Sequence, residues 1–144
     1  MHKLSTTFLC CILLLGQTTH SFSQPVPVQA KVEKSGNKLF KADRIRHERE
    51  LGLVIATGSV EMIEGDRVLR ADTVNYNQKQ DIVTATGNVV LMDPSGDVVF
   101  ADHVELTGDF KDGIVENIRI LMVDESRMAA VGGRRVGGER TELH

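Results

Sequence analysis

The dipeptide Ala-Asp occurs at Ala42-Asp43, Ala71-Asp72 and Ala101-Asp102, and the tripeptide Ala-Thr-Gly at Ala56-Thr57-Gly58 and Ala85-Thr86-Gly87. The chain therefore repeats itself about every 29 residues, and a repeat of that length is one supersecondary unit that buries its apolar face only by stacking on its neighbours. Three segments superpose from the Ala-Asp pairs onward: "ADRIRHERELGLVIATGSVEMIEGDRVLR", "ADTVNYNQKQDIVTATGNVVLMDPSGDVVF" and "ADHVELTGDFKDGIVENIRILMVDESRMA". Each opens a short strand, passes a polar turn ("ERELG", "NQKQD", "TGDFKDG"), runs through a longer strand and closes on a second turn ("EGD", "DPSGD", "DES").

Alternation along the longer strands defines their inner side. It carries Val54, Ala56, Gly58, Val60 and Met62 in the first copy and Val83, Ala85, Gly87, Val89 and Leu91 in the second. The matching set in the third is Asp112, Ile114, Glu116, Ile118 and Ile120. A period of two is the signature of strands with one buried face, and no window sustains a helical period. About seven strands are expected between Lys38 and Val131.

The apolar parity switches at each Ala-Asp. Phe40 and Ala42 lead into Ile45; Leu69 and Ala71 lead into Val74 and Tyr76; Val99 and Ala101 lead into Val104 and Leu106. A one-residue slip turns a strand's faces over, so each Ala-Asp predicts a bulge or corner that keeps the apolar side inward. The aspartate is then expected to satisfy backbone N–H groups at its own bend. Stacked bent hairpins of this kind give an all-β, antiparallel jelly-roll or folded taco, either two facing sheets or one sheet folded over. Small residues at Ala56, Gly58, Ala85 and Gly87 are expected to leave space between the layers.

Lys3, the apolar run "FLCCILLLG" and the triplet Ser21-Phe22-Ser23 read as a secretory signal peptide over residues 1–23. The apolar run is too short to span a bilayer. A lipid anchor on Cys10 or Cys11 would want a small residue before the cysteine and a place after the apolar run. Residues 24–37 read as a linker, 38–131 as the β-domain and 132–144 as a Gly/Arg-rich C-terminal segment. Both cysteines fall in the leader, so neither a disulfide nor a cysteine metal site is expected in the exported domain.

A formal net charge of −3, one tyrosine and no tryptophan give little basis for binding nucleic acid or stacking sugars. Asp43, Asp72 and Asp102 recur as equivalents, whereas glycoside cleavage needs two differently tuned carboxyls. His47 and His103 have no local ligand cluster for zinc. No catalytic residue, metal or cofactor is expected. Arg134, Arg135 and Arg140 read as a solvated tail, with phosphate contact as the sharper alternative. A β-solenoid carbohydrate enzyme would need more coils and cleft aromatics. An exported structural or adhesive module would show an interior filled by its own side chains.

"ADRI", "ADTVNYN" and "ADHVEL", interleaved with "ATGSVEMIEGD" and "ATGNVVLMDPSGD", resemble the OstA-like (LptA/LptD N-terminal) family of lipopolysaccharide (LPS) transport domains. The resemblance covers about residues 38–131. It implies a non-enzymatic jelly-roll in the periplasm, associated with the outer membrane, whose V-shaped groove takes the acyl chains of lipid A. Groove lining is implied for Ile45, Val54, Ala56, Val60 and Met62, for Val74, Tyr76, Val83, Ala85, Val89 and Leu91, and for Val104, Leu106, Ile118 and Ile120. Lpt bridge proteins would join by edge-strand pairing, here at the N-terminal edge from Leu39 to His47, and LPS would pass to the outer-membrane translocon. The tail "MAAVGGRRVGGERTEL" resembles the exit from the outer-membrane assembly member's N-terminal domain; a soluble bridge protein is the alternative. Shielding has a clear physical purpose, because an acyl chain of about a dozen carbons in water lies roughly 10 kcal/mol above its bilayer state.

Overall fold

The computed structural model describes residues 30–138 and 140–144, so the leader expected at 1–23 lies outside the described residues. Among the described residues ten strands follow one another: β1 (Lys31–Ser35), β2 (Lys38–Ala42), β3 (Arg44–Glu48), β4 (Leu53–Glu64), β5 (Arg67–Asn77), β6 (Ile82–Met92), β7 (Val98–Thr107), β8 (Gly113–Leu121), β9 (Arg127–Val136) and β10 (Arg140–Leu143). They form a single antiparallel sheet in the order β1-β2-β4-β5-β6-β7-β8-β9-β10, with β3 also paired to β4. The expected all-β antiparallel class is therefore observed, as one folded sheet. Two segments expected to lie outside the domain belong to it: the linker supplies β1, and the Gly/Arg-rich segment supplies the end of β9 and all of β10.

β2 and β3 are two halves of one strand interrupted at Asp43. β2 runs beside Glu61–Glu64 and β3 beside Leu53–Thr57, both on β4. The longer strands break at the same level. On β4, Thr57 pairs with Thr73 but Val60 pairs with Ala71, so one extra residue sits at Gly58–Ser59. β6 has the same insertion between Thr86 and Val89, opposite His103 and Ala101. At both places two consecutive residues have left-handed backbone, φ 81° and 45° at Gly58 and Ser59 and 79° and 48° at Gly87 and Asn88. These bulges turn the strand while preserving its parity, whereas the partner strand changes parity at its Ala-Asp.

The row of corners folds the sheet into two layers. The front layer contains β3, the halves of β4 to β9 that meet at turns 49–52, 78–81 and 108–112, and β10. The back layer contains β1, β2 and the remaining halves. Phe40 of the back layer and Tyr76 of the front layer stack across the interior, with ring centroids 6.1 Å apart and a tilt of 31°. We call the side opposite the corners the mouth.

The third unit departs from the expected register. Ile114 is 51% exposed, Asp112 and Glu116 are exposed as well, and Val115 is buried in their place. Only one residue of this corner, Asn117 (φ 52°), is left-handed. No residue is inserted, and β7 and β8 stay in step from Phe100–Arg119 to His103–Glu116. The alternation must then slip at the corner itself, which exchanges the faces of the preceding half-strand.

The aspartates act across strands rather than on their own bends. Asp72 accepts from Asn88 Nδ2 at 2.9 Å, and Asp102 accepts from Asn117 Nδ2 at 2.8 Å. The carboxylates of Asp43 and Asp72 also lie over Gly58 and Gly87, so the glycines serve the corner and do not create space in the interior as expected. A Cβ at Gly87 would stand 2.4 Å from Asp72 Oδ2. Gly87→Ala should therefore cost about 2–4 kcal/mol, combining left-handed strain with overlap. In an Asp72→Ala background the same change should cost only about 1–2 kcal/mol, the backbone part. Denaturant melts of the four proteins in this cycle test it; equal costs in both backgrounds would refute the overlap.

Candidate functional site: the interior between the layers

β-Branched and aliphatic residues at every second place give each half-strand one apolar side, and the fold turns all these sides toward each other. The residues for which groove lining was implied join one cluster. Ile45, Val54, Ala56, Val60, Met62, Val74, Tyr76, Val83, Ala85, Val89, Leu91, Val104, Leu106, Ile118 and Ile120 are between 0% and 9% exposed. Phe40, Ala42, Leu69, Ala71, Val99, Ala101, Phe110 and Val115 belong to the same cluster. The interior is filled along its length by these side chains.

Phe110 was not expected there. It rises from the turn at 108–112, is fully buried and has left-handed backbone (φ 60°). An aromatic residue inside the polar string "TGDFKDG" was the available signal.

The mouth is closed by side chains. At its N-terminal end Lys38 Nζ lies 3.2 Å from Asp81 Oδ1 and 3.9 Å from Glu64 Oε2, and sits 4.9 Å above the Tyr76 ring. Tyr76 donates its hydroxyl to Asp81 at 2.8 Å, and Gln78 Nε2 donates to Ser35 Oγ. At the C-terminal end Asp93 Oδ1 accepts from Arg135 Nη2 and from Arg67 Nε, while Arg135 also donates to the carbonyls of Phe110 (2.8 Å) and Gly138 (2.7 Å). Arg135 is 4% exposed, so it is no solvated tail residue. Backbone bonds between turns, such as Gln78 N–H to Gly52 O, Gly108 N–H to Asp81 O and Gly138 N–H to Lys111 O, run within the front layer. Among the described residues, side chains alone join the layers at the mouth.

The N-terminal end is polar. Lys31, Glu33 and Ser35 occupy the inner side of β1, opposite Ala42, Phe40 and Lys38. Glu33 meets His47 Nδ1 at 2.6 Å, and Lys31 Nζ donates to the Ile45 carbonyl at 3.4 Å. His103 Nδ1 instead contacts Thr86 Oγ1 at 3.1 Å. Among the described residues no group of three or more His, Cys, Asp or Glu side chains is arranged to hold a metal ion.

Removing Asp93 would strand a buried guanidinium. Asp93→Ala should cost about 3–5 kcal/mol, against less than about 1 kcal/mol for Glu48→Ala, whose partner Arg46 is largely exposed. Matched urea melts of the two variants check this, and comparable losses would show that the buried pair is not holding the mouth.

Burial pushes the Lys38 ammonium down, but its contacts with Tyr76 and Asp81, with the Glu64 charge, more than offset this and leave it above the usual lysine range. Burial and the Asp81 acceptor raise Tyr76, against Lys38. Two raised values give a contribution that is complete below about pH 10 and is lost as pH rises through the elevated values. Melts over that alkaline range should show falling stability, with a smaller fall in Tyr76→Phe; an equal fall would place the loss elsewhere.

No family model matches the sequence, and no curated protein matches it significantly. Among solved structures, the fold is similar to the crystal structure of LptH, "the LptA homologous periplasmic component of the conserved lipopolysaccharide transport device from Pseudomonas aeruginosa". The two share 13% identity over 74% of this chain and 80% of the other, with a TM-score of 0.62. At that identity the likeness is one of fold.

Proposed function

We propose that this chain is a non-catalytic periplasmic carrier that shields LPS acyl chains between its two layers, as an LptA-type bridge component. The observation that carries the reading is the fold shared with LptH, joined to an interior that is apolar from Phe40 to Ile120. The tail that resembled an exit toward a membrane barrel forms the end of β9 and β10, and the likeness to an LptA homologue supports the bridge reading.

The filled interior is the feature expected of an exported structural module, so the carrier reading carries a condition. Acyl chains enter as the layers part, replacing contacts between side chains with contacts to lipid. Parting breaks the side-chain ties at the mouth and leaves every backbone ladder intact, since the layers share strands at the corners. Sheet edges suit strand addition. The expected N-terminal contact strip is altered, because β1 covers Leu39–Ala42 and leaves β3 as the front-layer edge. The back layer extends one strand further at this end through β1, and the front layer one strand further at the other through β10. A Lpt partner of the same fold would meet both steps at once.

Photo-crosslinkers at the inward positions Val60, Leu91 and Ile118, placed in cells that make LPS, should yield LPS adducts. The outward neighbours Glu61, Val90 and Arg119 should not. Adducts at neither set, or equally at both, would overturn the carrier reading in favour of an exported structural module.

A further inference from the structure

At its C-terminal end the apolar inner face of the back layer reaches the surface. Exposure rises from 5% at Val99 through 7% at Ile120 to 39% at Met128, three residues that lie side by side on β7, β8 and β9. The back layer ends there, and Arg135, Gly138, Arg140 and Thr141 of the front layer face it across a cavity of about 510 Å3. Met122 completes the apolar floor.

The rim is charged. Arg67, Arg135 and Arg140 line the cavity with Asp93 and Asp97. Asp93 is shared by two arginines, and Asp97 caps the Val123 N–H at 3.1 Å. Arg135 is occupied by Asp93 and two carbonyls; among the described residues Arg67 meets Asp93 through Nε alone, and Arg140, largely exposed, is paired through Nη2 with Glu142. The Arg67 guanidinium, and that of Arg140 beyond its bond to Glu142, thus stand at the lip of an apolar pocket with N–H groups still to give. A free inorganic anion would leave the methionine floor in water, and a neutral amphiphile would leave the donors unmatched.

We propose that this C-terminal mouth is a binding site for an amphiphile with an anionic head, its chain on Val99, Ile120, Met122 and Met128 and its head on Arg67 and Arg140. The inference deepens the carrier reading, on which it rests for the lipid character of the ligand, by locating where an acyl chain first meets the interior. Arg135 holds the layers together behind the head and is a positioning residue.

Methionine methyl groups report the site directly. With the full chain labelled at methionine methyls, dodecyl phosphate below its micellar concentration should shift Met122 and Met128 and leave the fully buried Met62 in place. Dodecyl maltoside should bind about tenfold more weakly, and inorganic phosphate should shift neither methyl. Met128→Glu should weaken dodecyl phosphate by about tenfold or more. Arg67→Gln with Arg140→Gln should remove the preference for phosphate, and an unmoved Met62 signal certifies the fold in each variant. Equal affinity for the two amphiphiles in the parent, or shifts at Met62 alone, would overturn the proposal. So would shifts of Met122 and Met128 on concentrating the protein without amphiphile, which would assign the mouth to a second copy. Crosslinks at Val60 test passage and the methyl shifts test the mouth, so either reading can fail while the other stands.

Discussion

The fold depends on a corner made by an aspartate and a left-handed bulge on the adjacent strand. An uninterrupted pleated sheet of these strands would twist, but it would leave one apolar face in water. Folding it over requires every strand to bend at one level. Left-handed backbone at Gly58–Ser59, Gly87–Asn88 and Asn117 supplies the bend on alternate strands. The aspartates lock it from the intervening strands by filling the space above glycine and accepting from the asparagine amides. Only glycine admits a carboxylate that close, and only a short acceptor reaches it. The repeated Ala-Asp and Ala-Thr-Gly phrases are two halves of this one contact.

Much of the architecture was legible because it rests on local chemistry repeated in register. The parity switch at Ala42-Asp43, Ala71-Asp72 and Ala101-Asp102 predicted the corners, and alternation placed Val54, Met62, Val83 and Leu91 on one face. The third unit misled because its corner lacks the glycine, and a single missing insertion inverts the preceding half-strand. The partner of Asp72 lies in another strand, which no reading of its own bend reveals. β1 and the end of β9 escaped notice for a different reason. Their inner positions hold Lys31, Glu33, Ser35 and Arg135, polar residues that terminate an apolar interior, so the pattern that identifies strands weakens where the sheet stops. Arg135 looked like a solvated tail because nothing in its neighbourhood names Asp93, far away in sequence.

The two sides of the fold are held by different forces. At the corners the layers are covalently continuous, and the bend is fixed by steric fit. At the mouth they meet through ions and hydrogen bonds, Lys38 with Asp81 at one end and Arg135 with Asp93 at the other. Breaking such contacts costs most when they are dry, and an entering polar head replaces part of what it disrupts. The interior is likewise compatible with lipid, because exchanging aliphatic contacts for acyl contacts changes little apolar area.

The meander order makes length an adjustable quantity. Among the described residues every ladder joins strands that are near neighbours in sequence, and no strand crosses over another. One repeat contributes two strands, so gain or loss of a repeat lengthens or shortens the domain by roughly 9.5 Å along the stacking direction without altering the contacts of the units that remain. The structure is in effect a ruler graduated in hairpins, and the span such a protein covers can be changed by duplicating or deleting a stretch of sequence, with no redesign of its core.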